Sequence, residues 1–324
     1  MRAPGNTPLA CIELTVRGRR RPVHLKLESA NPCGSIKDRT AASLIDDLAR
    51  RGALVPGSIL VESTSGNLGV ALASIAREQG HRFLAVVDPK TTPENLARLR
   101  RLGADVECVS TPDDSGGYLL TRLQRVRDLC ASSSAYVWPN QYSNPANPRA
   151  HEYGTGPELL DQLSGGIDAL VVPVSTGGTL AGLARCFRRE SPKTLIVAVD
   201  AVGSIALGGI PGPRLLTGIG AGRRSSFLSP GLYDERVVVA DSEAFAFCRG
   251  LAAATGIRVG GSSGAALAAC RRVLAANSDL ERVVCLCADG GGTYRSTIYD
   301  NGWLERNGID PDRLALGCVE TIAA

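Results

Sequence analysis

The chain has 324 residues, is 44% hydrophobic and 21% charged, and carries a net charge of +4. That length suits one or two domains with full cores, and the mild, scattered positive charge argues against a nucleic-acid surface. There is no membrane-length apolar run and no leader pattern, and with ten cysteines lacking any Cys-x-x-Cys pair and only three histidines, neither a membrane partner nor a metal site is expected.

In chain order, a basic run at 17–21 reads as a charged hairpin turn beside a strand over 23–27. Asn31-Pro32-Cys33-Gly34-Ser35-Ile36-Lys37-Asp38-Arg39 follows, a Gly-containing turn that opens a helix. Ser35 and Asp38 form an S-x-x-D capping pair, apolar residues recur at helical spacing from Ile36 to Leu48, and Gly52 is the stop. Lys37 stands in the first turn, where the helix dipole favours anions. Either it is solvated or something anionic faces it. Strands are then predicted over 58–62, 83–87, 104–109 and 135–138, with helices over 68–79, 93–102 and 118–129 between them. That alternation is the signature of a parallel sheet covered on both faces.

Residues 139–157 contain four prolines and three asparagines and read as a crossover between domains. The alternation resumes with strands over 169–174, 195–200, 236–240 and 283–287. Helices run to 189, over 242–254 with Asp241 as cap, and over 262–276. Residues 202–230 read as loop around the mouth of a site. The N-terminal strands are expected to rejoin the C-terminal half. The division is therefore 1–40 with 146–324 as a large domain, and 41–145 as a smaller mobile one.

Four polar, Gly-bearing loops stand where open α/β sheets bind ligands, beyond the carboxyl ends of strands. They are the Lys37 turn, Thr64-Ser65-Gly66-Asn67, Ser175-Thr176-Gly177-Gly178-Thr179, and Gly260-Gly261-Ser262-Ser263-Gly264. The Ser175 loop opens a helix, and its N–H groups suit one phosphate; an ordinary tight turn is the alternative. The Thr64 loop suits a carboxylate, or is simply an N-cap. The serine at 262 either caps its helix or bonds a ring nitrogen. A lysine, a single-phosphate cradle and a carboxylate cradle together point to pyridoxal phosphate chemistry.

These loops, with Asn140-Gln141-Tyr142-Ser143-Asn144-Pro145, Thr155-Gly156-Pro157-Glu158 and Gly218-Ile219-Gly220-Ala221-Gly222, resemble the cysteine synthase and cystathionine β-synthase family of fold-type II pyridoxal-phosphate enzymes. The resemblance runs in order over nearly the whole chain. It implies two three-layer α/β/α domains with mostly parallel sheets, the active site between them, and a homodimer, while the unpaired cysteines read as buried small hydrophobes in a reducing cytoplasm. It implies that Lys37 carries the cofactor as a Schiff base and moves the α-proton. Asn67 would bond the cofactor's 3′ oxygen, Ser175 and Thr176 to Thr179 its phosphate end, and Ser262 its ring nitrogen. Thr64, Ser65, Gly66 and Gln141 would bind the substrate carboxylate, with Gly218 beside them. Elimination to an α-aminoacrylate would precede addition of a nucleophile.

The departures bear on substrate. Ser63, Leu68 and Ser175 replace the usual Pro, Thr and Gly, and Asp200-Ala201-Val202 replaces a V-E/D-P pattern. Together with Tyr153-Gly154, they resemble the branch that joins O-phospho-L-serine to the amine of L-glutamate. Its product is N-(1-amino-1-carboxy-2-ethyl)-glutamate, from which a partner dehydrogenase releases 2,3-diaminopropionate for siderophores or peptide antibiotics. Cysteine synthesis from O-acetylserine or O-phosphoserine with sulfide, or another amine nucleophile, are the alternatives. Asp289-Gly290-Gly291-Gly292-Thr293-Tyr294-Arg295 departs from both branches. Arg223, Arg224 and Arg295 are candidates for a phosphate or the glutamate side chain, with solvated surface arginines the alternative for each. Tyr153 is a candidate substrate contact, with interdomain packing as its alternative.

Overall fold

A computed structural model describes residues 2–113, 116–316 and 322–323. Two strands, β1 (Leu9–Val16) and β2 (Arg19–Leu27), form an antiparallel hairpin closed by Arg17 and Gly18, both at positive φ (51° and 75°). The basic run is thus a hairpin turn, as expected, and its mirror-image geometry matches the strand twist.

Helix α1 (Lys37–Arg50) leads into β3 (Ile59–Ser63), α2 (Asn67–Glu78), β4 (Arg82–Val87), α3 (Pro93–Arg101), β5 (Asp105–Cys108), α4 (Leu119–Ser132) and β6 (Tyr136–Val137). These strands form a parallel four-stranded sheet in the order β5-β4-β3-β6. Leu60 and Phe83 face a core shared with α1 and α2, while Val61 and Val86 face α4. That alternation gives three layers.

Next come α5 (Ala146–Ala150), a π-helical turn (His151–Thr155) and α6 (Gly156–Gln162), followed by β7 (Ala169–Pro173), α7 (Gly178–Glu190), β8 (Leu195–Ala201), β9 (Glu235–Val239), α8 (Asp241–Thr255), α9 (Gly261–Ala276) and β10 (Val283–Cys287). Short helices α10 (Asn301–Arg306) and α11 (Pro311–Leu316) precede a last strand, β11 (Ile322–Ala323). The second sheet has the order β11-β1-β2-β10-β7-β8-β9, and its centre is parallel. The runs ALVVP, LIVAVDA and VVCLC are apolar on both faces, as central parallel strands must be. Along β7, Ala169 and Val171 enter one core with α8 and α9, and Leu170 and Val172 the opposite core with α7. Helix α9 presses closely on α8: a Cβ at Gly264 would lie 2.2 Å from the Ala244 carbonyl.

Three local expectations are corrected. The stretch 139–157, read as irregular, is helical from Ala146 onward. Pro148 and Pro157 sit in first turns, where no intrahelical N–H partner is needed. Asp38 does not close a capping box with Ser35; its Oδ2 accepts from Cys33 N at 2.6 Å. Asp241 does not cap α8; its carboxylate accepts from Leu215 N (2.7 Å) and Leu216 N (3.1 Å), pinning the long loop.

A buried ionic cluster fixes the start of α1 to the large sheet. Arg39 forms a bidentate pair with Glu28 (2.7 Å on both arms) and reaches Glu158 at 2.8 Å. Glu158 also accepts from Thr7 N (2.8 Å) and is ion-paired to the buried Lys26. Burial alone would raise the Glu158 pKa, but its hydrogen bonds to Arg39 and Lys26 outweigh this and hold it down to about 2. A depressed carboxylate pKa adds stability that is present above the ordinary value and lost as pH falls toward the folded one. Glu158→Gln is therefore expected to cost about 3 kcal/mol or more at pH 7, since it leaves buried cations uncompensated. Urea unfolding should show that difference shrinking between about pH 4.5 and 2. A difference independent of pH would sink this reading.

Candidate active site

The carboxyl ends of β3, β7 and β10 converge with α1 on one cavity. It is lined by Lys37, Thr64, Ser65, Gly66, Asn67, Gln141, Ser175, Thr176, Gly177, Thr179, Gly218 and Ser262, with Arg122, Tyr142 and Asp289. Sequence-distant loops meet there because the parallel strands of each sheet deliver their loops to one edge.

Lys37 is half-buried, and its amine makes no hydrogen bond or ion pair among the described residues. Desolvation pulls its pKa down to about 8, while the Asp289 carboxylate opposes that shift. The amine is thus still mostly charged at pH 7 but loses its proton far more readily than an ordinary lysine.

Thr176 to Thr179 form the turn into α7. Gly177 is left-handed (φ 87°), and a Cβ there would lie 2.0 Å from Ser225 Oγ. Gly178 is backed in the same way by Asn147 Oδ1, at 2.2 Å from a Cβ. Side chains are thus excluded from behind, and the front of the loop faces the cavity. The first-turn N–H groups have no intrahelical acceptor; the first bond back into the loop is Ala181 N to Gly177 O, 2.9 Å. Ser175 donates to Gly220 O at 3.1 Å, tying this loop to the Gly218–Gly222 segment.

In the Thr64 loop, Thr64 Oγ1 accepts from Gly69 N (2.9 Å), so Thr64 does the capping rather than Ser65 or Asn67. A Cβ at Gly66 would meet nothing within 4 Å, so the backbone there is open to the cavity. Gln141 is held by its N to Glu62 (3.0 Å) and its Nε2 to Ser63 O (3.1 Å). Burial raises the Glu62 pKa to about 7, against the donors Trp138 Nε1 and Gln141 N. Ser262 is 1% exposed in the first turn of α9 and turns toward the cavity.

Two proposed substrate contacts lie elsewhere. Tyr153 is 66% exposed and carries Arg189 over its ring (5.9 Å), away from the cavity, because the π-helical turn rotates it outward. Arg223 does not line the cavity; its guanidinium stacks 5.6 Å from the ring of Tyr142, which does. Arg224 and Arg295 are exposed, and Arg295 borders a separate cleft with Arg249 and Arg258.

Two residues that sequence reasoning missed are placed at the site. His151 is fully buried between Thr40 Oγ1 (3.1 Å), Thr179 Oγ1 (3.3 Å) and Thr155 Oγ1 (3.0 Å), so it ties the Lys37 helix to the α7 turn. Burial, with Lys37 and Arg39 nearby, keeps it neutral. Arg122 is 8% exposed, and its Nε and Nη1 have no hydrogen-bond partner among the described residues. Asp88 Oδ2 is 3.3 Å away without hydrogen-bond geometry. Arg122 was legible in one respect: it occupies an i, i+3, i+4 stripe with Leu119, Leu123 and Val126, where a charge is out of place.

Such a set of loops defines a class. The chain belongs to the pyridoxal-phosphate dependent enzyme family, whose pattern matches residues 1–289. A protein of Ralstonia nicotianae named N-(2-amino-2-carboxyethyl)-L-glutamate synthase is 47% identical over 302 residues, covering 93% of this chain and 89% of that one. A protein of the same name from Cupriavidus metallidurans is 44% identical over 305 residues, with the same coverage of 93% and 89%. The solved structure of an O-acetylserine dependent cystathionine beta-synthase from Helicobacter pylori matches with a TM-score of 0.84 at 31% identity, covering 92% of this chain and 97% of that one. The fold is thus fold-type II, and pyridoxal 5′-phosphate is the cofactor. The unpaired lysine, the glycine cradle closed from behind and the open Gly66 backbone all fit it.

Proposed function

We propose that this enzyme carries out β-replacement on O-phospho-L-serine with the amine of L-glutamate. The product would be N-(1-amino-1-carboxy-2-ethyl)-glutamate, the connectivity in the names of the two relatives. The observation that carries the substrate choice is Arg122. Asp88 Oδ2 at 3.3 Å balances part of its charge, but its Nε and Nη1 make no hydrogen bond among the described residues, and buried donors of that kind are costly unless an acceptor meets them. The cofactor's phosphate is cradled by the α7 turn and the substrate carboxylate by the Thr64 loop. Arg122 supplies a place for a third anion, the phosphate that leaves.

The bound cofactor withdraws electrons from the substrate's α-carbon. The chain's residues do the rest. Lys37 holds the cofactor and, once displaced, takes the proton from the α-carbon; a pKa of about 8 suits an amine to that task. Thr64, Ser65 and Gln141 hold the carboxylate, so that the α-hydrogen points at Lys37. Arg122 neutralises the departing phosphate dianion. The freed β-carbon then accepts the glutamate amine. Ser262, a neutral hydroxyl, leaves the ring nitrogen uncharged, which favours elimination over transamination.

The separate cores of the two sheets support treating 1–40 with 146–324 and 41–145 as bodies that close on each other. The remaining parts of the reading are a homodimer, a cytoplasmic location and a dehydrogenase that consumes the product. Among the described residues no helix is long and apolar enough to cross a membrane.

The test offers the holoenzyme O-phospho-L-serine or O-acetyl-L-serine, each with L-glutamate or sulfide, and identifies products by mass. The glutamate adduct from O-phospho-L-serine is expected. Cysteine as the sole product would replace this reading with cysteine synthesis.

A further inference from the structure

The segment that follows β10 has no part in the reaction above, yet Asp289 at its start is 3% exposed and borders the cavity. Its backbone forms an isolated antiparallel bridge with Ser35, and its carbonyl accepts from Gly260 N at 3.2 Å. Its side-chain Oδ2 accepts from Asn67 Nδ2 and from the Tyr294 hydroxyl, both at 2.7 Å. One residue therefore touches three of the four site loops. Gly260 makes room for it: a Cβ there would lie 2.1 Å from Asp289 Oδ1. That second oxygen is buried without a hydrogen-bond partner among the described residues, so the carboxylate is not there for its own stability.

We propose that Asp289 is a positioning residue for the cofactor, acting through Asn67. A carboxylate offers only acceptors, so it dictates which end of the Asn67 amide faces it. The amide nitrogen carries two hydrogens. One is given to Asp289, which leaves the second for the cavity and the cofactor's 3′ oxygen. Without the acceptor, the amide is free to turn and present its oxygen, which repels that site. Tyr294 shares Oδ2 and holds the carboxylate in place. The inference rests on the assignment of Asn67 to the cofactor, and the first arm of the test examines that assignment separately.

Pyridoxal phosphate is titrated into the cofactor-free chain, with affinity and the visible absorbance band as readouts. Asn67→Ala is expected to weaken binding and move the band. Asp289→Ala should weaken binding about tenfold, the scale of one charge-assisted hydrogen bond. Asp289→Asn retains an oxygen acceptor and should restore most of the loss. In the Asn67→Ala background, Asp289→Ala should add little. If Asn67→Ala binds as the parent does, the Asn67 assignment fails and the inference with it. If Asn67→Ala is impaired but Asp289→Ala is not, or if the two losses add in full, only the inference fails. Asp289→Asn binding as weakly as Asp289→Ala would also overturn it, because charge rather than orientation would be the cause. Should Asp289→Ala not fold, Asp289→Ser carries the same comparison.

Discussion

Lys37→Ala is expected to lose turnover by at least about a thousandfold and to lose covalent attachment of the cofactor, while still binding it through the loops. Borohydride reduction of the parent holoenzyme should fix the cofactor mass on the peptide containing Lys37, and the variant should show no such adduct. The amine's environment adds a pH signature. Burial lowers its pKa to about 8, so the reactive neutral form dominates above that value and falls away below it. The rate of aldehyde capture by the cofactor-free chain should therefore rise through a midpoint near 8. A midpoint near that of a free lysine, about 10.4, would show that the amine is not desolvated in solution. Retention of the adduct in Lys37→Ala would move the anchoring role to another lysine.

Arg122→Leu, alone and with Asp88→Asn, is expected to separate function from folding. The substitution completes the apolar stripe of α4 but takes the ion-pair partner from the buried Asp88 carboxylate, so it should cost stability, and Arg122→Leu combined with Asp88→Asn, which removes both charges, should recover most of that cost. Turnover of O-phospho-L-serine should fall about a hundredfold or more in kcat/KM, the loss of charge-assisted bonds to a dianion. O-acetyl-L-serine, whose leaving group lacks that charge, should be affected far less. Equal losses on both substrates would remove the leaving phosphate from Arg122. Phosphate release at parental rate with a slow second half-reaction would place the glutamate carboxylate there instead.

The two predictions draw on different kinds of information. Lys37 and the Thr176 to Thr179 turn were readable because their chemistry is local. A loop between strand and helix carries its own glycines and its own N–H groups, and its neighbours in sequence are its neighbours in space. The hairpin at Arg17 and Gly18 and the stop at Gly52 were readable for the same reason. Pro148 and Pro157 misled, because a proline breaks a helix interior but fits a first turn, and position within the helix is not visible before the helix is known.

The sequence alone determined the strand-helix alternation, the four polar loops and the presence of an amine among them. It also carried the resemblance to a pyridoxal-phosphate family. What it left open was decided by which side chains the two sheets bring to one point. Arg122 lies 85 residues from Lys37, and the burial that leaves its Nε and Nη1 without a hydrogen bond among the described residues exists only in the packed state. Asp289 lies 222 residues from Asn67, yet shares a 2.7 Å hydrogen bond with it. Tyr153 was a candidate from the resemblance alone and is turned to solvent in a single π-helical turn. Hydrophobic period and turn chemistry act over a few residues and so are written in the chain. Burial of a charge, and the partner it lacks, are properties of the enclosing fold.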